Sequence, residues 1–167
     1  MGQRTEDGFV KVTGRIKEQY KLENGKYVAP TPIEESIGMS RFITQVVLVG
    51  ANRPHNIVLI VPEWEALRTE FKISPDVSEE DLANDDRIKE LIDAEIAMSC
   101  FNLKKFEIPT KWAFVAPFTV ANDMLTPKMS IRRHKVQLAY QGLIDEVYGA
   151  QLESEASSKE DAKEEAA

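Results

Sequence analysis

GRIKEQYKLENGKYVAP, Gly14 to Pro30, is the stretch around which the rest of this chain is organised. Gln19 to Leu22 and Lys26 to Val28 are extended candidates, and Glu23-Asn24-Gly25 between them supplies turn chemistry, so a small hairpin is expected. Arg15, Lys17, Lys21 and Lys26 make the same stretch basic. A second basic element, TPKMSIRR from Thr126 to Arg133, carries Lys128, Arg132 and Arg133. Each cluster adjoins a glycine or proline loop, where backbone amides approach an anion closely. Loops on a rigid scaffold are also where binding residues tend to lie.

Outward from that stretch, Phe9 to Thr13 alternates as FVKVT, a strand pattern. Pro32 fits the first turn of a short helix running to about Met39, with Thr31 as its N-cap and Glu34 and Glu35 near its positive end. The two strongest strands are Thr44 to Val49 and Asn56 to Val61, whose continuous apolar character predicts burial on both faces. Glu63 to Phe71 reads as a helix with Trp64, Leu67 and Phe71 along one side. Ile73 to Asp85 is a polar connector with room for one helical turn. From Asp86 to Leu103 the positions Ile88, Leu91, Ile92, Ile96 and Leu103 follow the helical period. A third strand, Lys111 to Val115, precedes a loop from Pro117 to Pro127 with Asn122-Asp123 at its tip. A last helix, Ile131 to Tyr148, carries Val136, Tyr140, Leu143 and Val147 on one stripe. The fold class is α+β: a central three-stranded sheet flanked by helices, plus an N-terminal two-stranded hairpin.

A chain of 167 residues, 43% hydrophobic and 29% charged, is the size and composition of one soluble domain. That domain is expected over residues 1–149. Residues 150–167 are expected to be a disordered acidic tail, because residues 151–167 hold six acids against two lysines and no apolar period. The net charge of -7 argues against broad nucleic-acid binding, which needs a cationic surplus. Cys100 has no second cysteine to pair with and falls in an apolar helical pattern, so it reads as a buried small hydrophobe in a reducing, cytoplasmic protein. QVVLVG and IVLIVP fall far short of the ~20 residues that a membrane helix needs. The opening residues have neither a secretory nor a transit character, and read as a start inside a longer gene. No GxxxxGK[ST], GxSxG or HExxH motif occurs, and no cysteine pair for zinc. With His55 and His134 far apart, no metal ligand set is expected, and no self-contained catalytic centre is evident.

DGFVKVTGRIKEQYKLENGKYVAPTPIE, Asp7 to Glu34, resembles the hinge and following motif of AMP-forming acyl-CoA synthetases. NDMLTPKMSIRRHKV, Asn122 to Val136, resembles the C-terminal lysine motif of their long-chain fatty-acid branch. The likeness runs from Asp7 to Tyr148 and is confined to the small C-terminal lid of these adenylate-forming enzymes. Such enzymes make an acyl-adenylate from ATP and a carboxylate, then rotate the lid so that CoA attacks. The resemblance implies a missing large domain as partner, in cis or in trans, with acyl-adenylate and CoA as ligands. ATP/Mg and CoA serve the full enzyme, and no cofactor is expected on this domain alone. Any peripheral membrane attachment would belong to the full-length enzyme.

Carried over by motif, Arg15 takes the position that contacts nucleotide ribose and phosphate, a role suited to a planar, permanently charged donor. Lys17 takes the hinge position, whose torsions change between the half-reactions. Gly25, Lys26 and Tyr27 match the loop that lines the pantetheine channel. The lysine that serves adenylation departs from the pattern, because its slot is Ser130, and Lys128 lies two residues earlier. In an extended segment the two would share a side about 6–7 Å apart, which makes Lys128 a displaced catalytic candidate. On the plainer reading Ser130 caps the final helix and Lys128 is a solvated charge. The expected function is the lid of a long-chain fatty-acid CoA ligase, lacking its large domain and inactive alone. The alternative is a freestanding CoA- or adenylate-binding or interaction module, or a pseudoenzyme lid, acting in trans.

Overall fold

The computed structural model describes residues 2–4, 10–12 and 18–149, so Arg15, Lys17 and the expected tail lie outside the described residues. In chain order the strands are β1 (Gly2–Arg4), β2 (Val10–Val12), β3 (Tyr20–Lys21), β4 (Tyr27–Val28), β5 (Ile43–Val49), β6 (Asn56–Pro62) and β7 (Pro109–Phe114). The helices are α1 (Pro30–Ile37), α2 (Trp64–Phe71), α3 (Glu79–Asn84), α4 (Asp86–Ser99) and α5 (Arg133–Ala139), with a further helical run, α6, over residues 141–149. The chain divides into two compact units, Met1–Pro117 and Phe118–Ala167.

In the first unit β6 is the centre of a three-stranded mixed sheet ordered β5-β6-β7. It pairs antiparallel with β5, Val47 opposite Leu59, and parallel with β7, Val58 opposite Trp112. A parallel neighbour needs a crossover, which α2, α3 and α4 supply. All seven residues of β6 are buried, as its apolar run predicts for a central strand. Burial of each Val, Ile or Leu side chain contributes about 1.5–3 kcal/mol. On one face Leu48, Val58 and Ile60 join Ile33, Ile37, Leu67, Leu82, Ile88, Ile92 and Ile96 in one apolar cluster. The hairpin β3-β4 stands apart as its own two-stranded sheet, and so does β1-β2.

Helix ends depart from the expected boundaries for local reasons. Helix α1 begins at Pro30, with Ala29 in the N-cap position and no acid in its first turn. Thr31 therefore lies inside the helix and donates to Glu18 Oε2 at 3.0 Å, while Glu34 Oε1 accepts from the Leu48 amide at 2.6 Å. Proline pre-sets the first helical φ and lacks the amide that would go unsatisfied there. Helix α4 stops at Ser99, and Leu103 packs from the turn beyond it. The polar connector does hold a helix, α3, capped by Ser78, whose side chain accepts from the Asp81 amide. Arg68 pins that connector, donating to the Ser74 carbonyl at 2.9 Å and the Val77 carbonyl at 2.7 Å.

The second unit corrects the expectation of one continuous last helix. α5 ends at Ala139 with Tyr140 as its C-cap, and α6 starts at residue 141. The buried side chains are Val136, Ile144 and Tyr148, so the second half presents a stripe rotated from Leu143 and Val147. Gly142 lies in the first turn of α6, and glycine is about 1 kcal/mol poorer than alanine at sustaining a helix interior.

Candidate functional site

The hairpin loop forms as its residue types dictate. The Gly25 amide donates to the Leu22 carbonyl at 2.9 Å and the Leu22 amide to the Lys26 carbonyl at 2.9 Å. Asn24 Oδ1 accepts from the Lys26 amide at 3.1 Å. Gly25 has φ +86°, in the left-handed region where side chains are disfavoured. Lys26 and Tyr27 are exposed at the edge of this loop.

What fixes the hairpin on the sheet is Asn56, a fully buried polar residue at the head of β6. Its Oδ1 accepts from the Tyr20 hydroxyl at 2.6 Å. Its Nδ2 donates to the carbonyls of Phe106 at 2.9 Å and Glu107 at 3.0 Å. A side-chain amide so placed joins hairpin, strand and the turn before β7, and leaves none of its own polar atoms orphaned. Gly50 keeps the space open, since a Cβ there would collide with Asn56 Oδ1 and reach within 3.0 Å of the Tyr20 ring. The Glu23 amide on the Arg53 carbonyl at 3.0 Å and the Asn52 amide on the Lys21 carbonyl at 2.9 Å complete the attachment.

That junction brings two lysines together. Lys26 Nζ lies 4.9 Å from the centroid of the Phe106 ring, and Lys104 Nζ lies 5.8 Å from it. Neither ammonium forms an ion pair with a described carboxylate. Two ammonium groups close to one ring suit an anionic ligand, by charge. Lys104, Phe106 and Asn56 were missed in the sequence. An amide opening an otherwise apolar strand was the available signal.

In the second unit, Leu125 and Ile131 form an isolated antiparallel bridge, and residues 126–130 close over it. The Thr126 amide donates to the Ser130 carbonyl at 2.8 Å, the Met129 amide to the Thr126 carbonyl at 2.8 Å, and the Ser130 amide to Thr126 Oγ1 at 3.1 Å. Met129 is left-handed, φ 61°. This is a three-residue hairpin loop of the bulged kind, with Pro127 at the position its ring favours. Lys128 and Ser130 are therefore on a tight turn, and the extended geometry in which the two would share a side does not form. Ser130 does not cap α5 either, because Arg132 occupies that position with no side-chain cap. Arg132 and Lys135 are both held by Asp123 (Lys135 Nζ at 2.9 Å). Their positive charges, with Lys135 donating directly, hold the Asp123 carboxyl below its ordinary range. Lys128, exposed, makes no ion pair among the described residues. Gly25, Lys26 and Tyr27 belong to the first unit and Lys128 to the second.

A family model, the AMP-binding enzyme C-terminal domain, matches residues 17–152. The chain belongs to that family. This AMP-binding enzyme C-terminal domain is 31% identical over 141 residues to the chloroplastic long-chain-fatty-acid–[acyl-carrier-protein] ligase AEE15 of Arabidopsis thaliana, covering 84% of this chain and 18% of the relative. It is 31% identical over 153 residues to long-chain-fatty-acid–CoA ligase 5 of Mus musculus, covering 89% of this chain and 22% of that one. The chain thus spans about a fifth of the length of these relatives. Among solved structures, it is similar to the adenylation domain of a carboxylic acid reductase from Segniliparus rugosus in complex with AMP and a co-purified carboxylic acid. That similarity has a TM-score of 0.66 at 25% identity and covers 89% of this chain and 24% of that one. The corresponding domain from Mycobacterium chelonae matches at TM-score 0.68 and 24% identity, over 87% and 24% of the two chains. Among the described residues no helix is long and apolar enough to cross a membrane, and no group of three or more His, Cys, Asp or Glu is placed to hold a metal.

Proposed function

We propose that this domain is the lid of a long-chain fatty acyl ligase, working on a large adenylate-forming domain. In the first half-reaction a carboxylate oxygen of the fatty acid attacks the α-phosphorus of ATP, and pyrophosphate leaves with the electron pair of the broken bond. In the second, a phosphopantetheine thiol, of CoA or an acyl-carrier protein, loses its proton, and its sulfur attacks the acyl carbon and expels AMP. The observation that carries the reading is the Asn56-anchored hairpin, which presents Gly25, Lys26 and Tyr27 beside Lys104 and Phe106. That arrangement supports a role in the second half-reaction, as a cationic site for an anionic acceptor. Arg15 as nucleotide contact and Lys17 as hinge complete the proposal. Lys128 is assigned to the first half-reaction, where a cation stabilises charge developing at phosphate.

The test is a fusion of this chain behind the large domain of the mouse ligase, in place of that enzyme's own C-terminal domain. The fusion forms palmitoyl-CoA from ATP, Mg²⁺, palmitate and CoA, and the chain alone forms none. Lys26→Ala raises KM for CoA and leaves ATP–pyrophosphate exchange unchanged. Multiple turnover by the isolated chain, or an inert fusion, overturns the reading. A second reading, a lid without part in adenylation, is favoured by Ser130 in the lysine slot. It holds if Lys128→Ala leaves exchange at its full rate. Cytoplasmic placement is proposed from the unpaired, buried Cys100 alone, since relatives include chloroplastic and peroxisomal proteins.

A further inference from the structure

Arg132 of the second basic element and Lys135 just beyond it are both engaged, and the group that holds them is the carboxylate of Asp123. Asp123 accepts from Arg132 Nη1 on one carboxylate oxygen and from Lys135 Nζ, at 2.9 Å, on the other. Its own backbone is left-handed, φ 61°, a conformation that Asp and Asn tolerate better than most residues. The pairing ties the residue before the hairpin to the start of α5 just after it. Between those points the Arg132 amide donates to the Met124 carbonyl at 2.8 Å, Leu125 bridges Ile131, and the Thr126–Ser130 loop closes over them. Lys128 stands in that loop as the cation Asp123 leaves unneutralised.

We propose that Asp123 is a positioning residue: by gripping Arg132 and Lys135 it clamps the base of the 124–132 hairpin and so holds the Lys128 turn in one geometry. The proposal rests on the reading that Lys128 serves the adenylation half-reaction. Charge and shape agree with it. One carboxylate offsets one of the two neighbouring positive charges and holds both side chains against itself instead of a phosphate that Lys128 would meet, and the same bonds tie together the two ends of the 124–132 hairpin whose tip carries Lys128. His134, beside both partners, is the further titratable group near the carboxylate.

Asp123→Asn is the informative variant, because asparagine keeps the left-handed preference and the shape while removing the charge. On the isolated chain, amide hydrogen exchange at Thr126, Ser130 and Arg132 is expected to speed up about tenfold or more, with the β5-β6 amides unchanged. Unaltered exchange at those three amides overturns the proposal outright. In the fusion with the mouse large domain, Asp123→Asn is expected to slow ATP–pyrophosphate exchange about tenfold or more. Thioester formation from preformed palmitoyl-adenylate keeps its rate, and Asp123→Glu restores part of the loss. Equal losses in both half-reactions mean a general folding defect and overturn the positioning role. A wild-type fusion inert in pyrophosphate exchange overturns the proposed function instead, and the clamp then stands or falls on the exchange data.

Discussion

The Tyr20 hydroxyl donates to Asn56 Oδ1 at 2.6 Å, and through that bond the β3-β4 hairpin is joined to the central strand of the sheet. Asn56 spends both ends of its amide on the junction, so its removal takes away the Tyr20 hydroxyl's bond to the central strand and leaves the Phe106 and Glu107 carbonyls short of a donor. Asn56→Ala is expected to destabilise the domain by about 2–4 kcal/mol, read as a lowered urea midpoint at constant m. Gly50→Ala, which pushes a methyl into the same space, should do comparable harm.

Gly25 is required for conformation and not for room, because a Cβ there would meet its nearest neighbour, Lys21 Cε, at an ordinary 3.6 Å. Gly25→Ala therefore costs about 1–2 kcal/mol of left-handed strain. Gly25→Asn costs less. Thermal melts of the two variants should rank in that order, and equal midpoints would contradict the assignment of φ +86°.

At Met129 the same argument runs in reverse. A long side chain sits at φ 61° and is 67% exposed, so it gains little packing for its strain. Met129→Gly relieves about 1–2 kcal/mol of strain and gives back about 0.5–1 kcal/mol in unfolded-chain entropy. A small net gain in thermal midpoint is the expected outcome.

The Asp123 carboxyl is lowered in the fold by Lys135 and Arg132. A depressed folded value contributes stability above the unfolded carboxylate range and loses it as pH falls through the folded value. The Asp123 carboxylate resonance should accordingly titrate below the ordinary 3.8, and amide shifts at Thr126 and Ser130 should follow it. In Asp123→Asn that acid-side transition disappears. A midpoint at or above the ordinary value would refute the pairing.

Cys100 is buried, and burial pushes its thiol up. A disulfide dye should therefore react with native protein orders of magnitude more slowly than with protein in urea, because the thiolate is the attacking species.

The three-stranded sheet, the separate hairpin and most helices were legible because each rests on a local pattern. Val-Ile-Leu runs mark β5 and β6, Asn24-Gly25 marks the turn, and Ile88, Ile92 and Ile96 mark α4. What escaped depends on contacts made far along the chain or on competition between near-equal local choices. Pro30 and Pro32 are both credible helix starts, and the first won. Lys128 to Ser130 can be read as extended until the Thr126 hydroxyl and the left-handed Met129 close the segment into a turn. Asn56 meets Phe106 across fifty residues, a pairing that no window of sequence contains. Asp123 was visible only as a turn residue, because its partner Arg132 looked like a ligand cation.

The parallel pairing of β7 with β6 sets an order of events during folding. β5 and β6 are joined by a short connection and can zip together locally, but Val58 must find Trp112 after the whole α2–α4 crossover has been gathered in. Closing so long a loop is entropically slow, and such non-local pairings dominate folding times. Lys104 and Phe106 lie just upstream of β7 and reach Lys26 only when that strand docks. The pair of lysines beside Phe106 is thus among the last parts of the first unit to come into being. A chain caught before that step would hold a nearly complete core with its acceptor site unassembled.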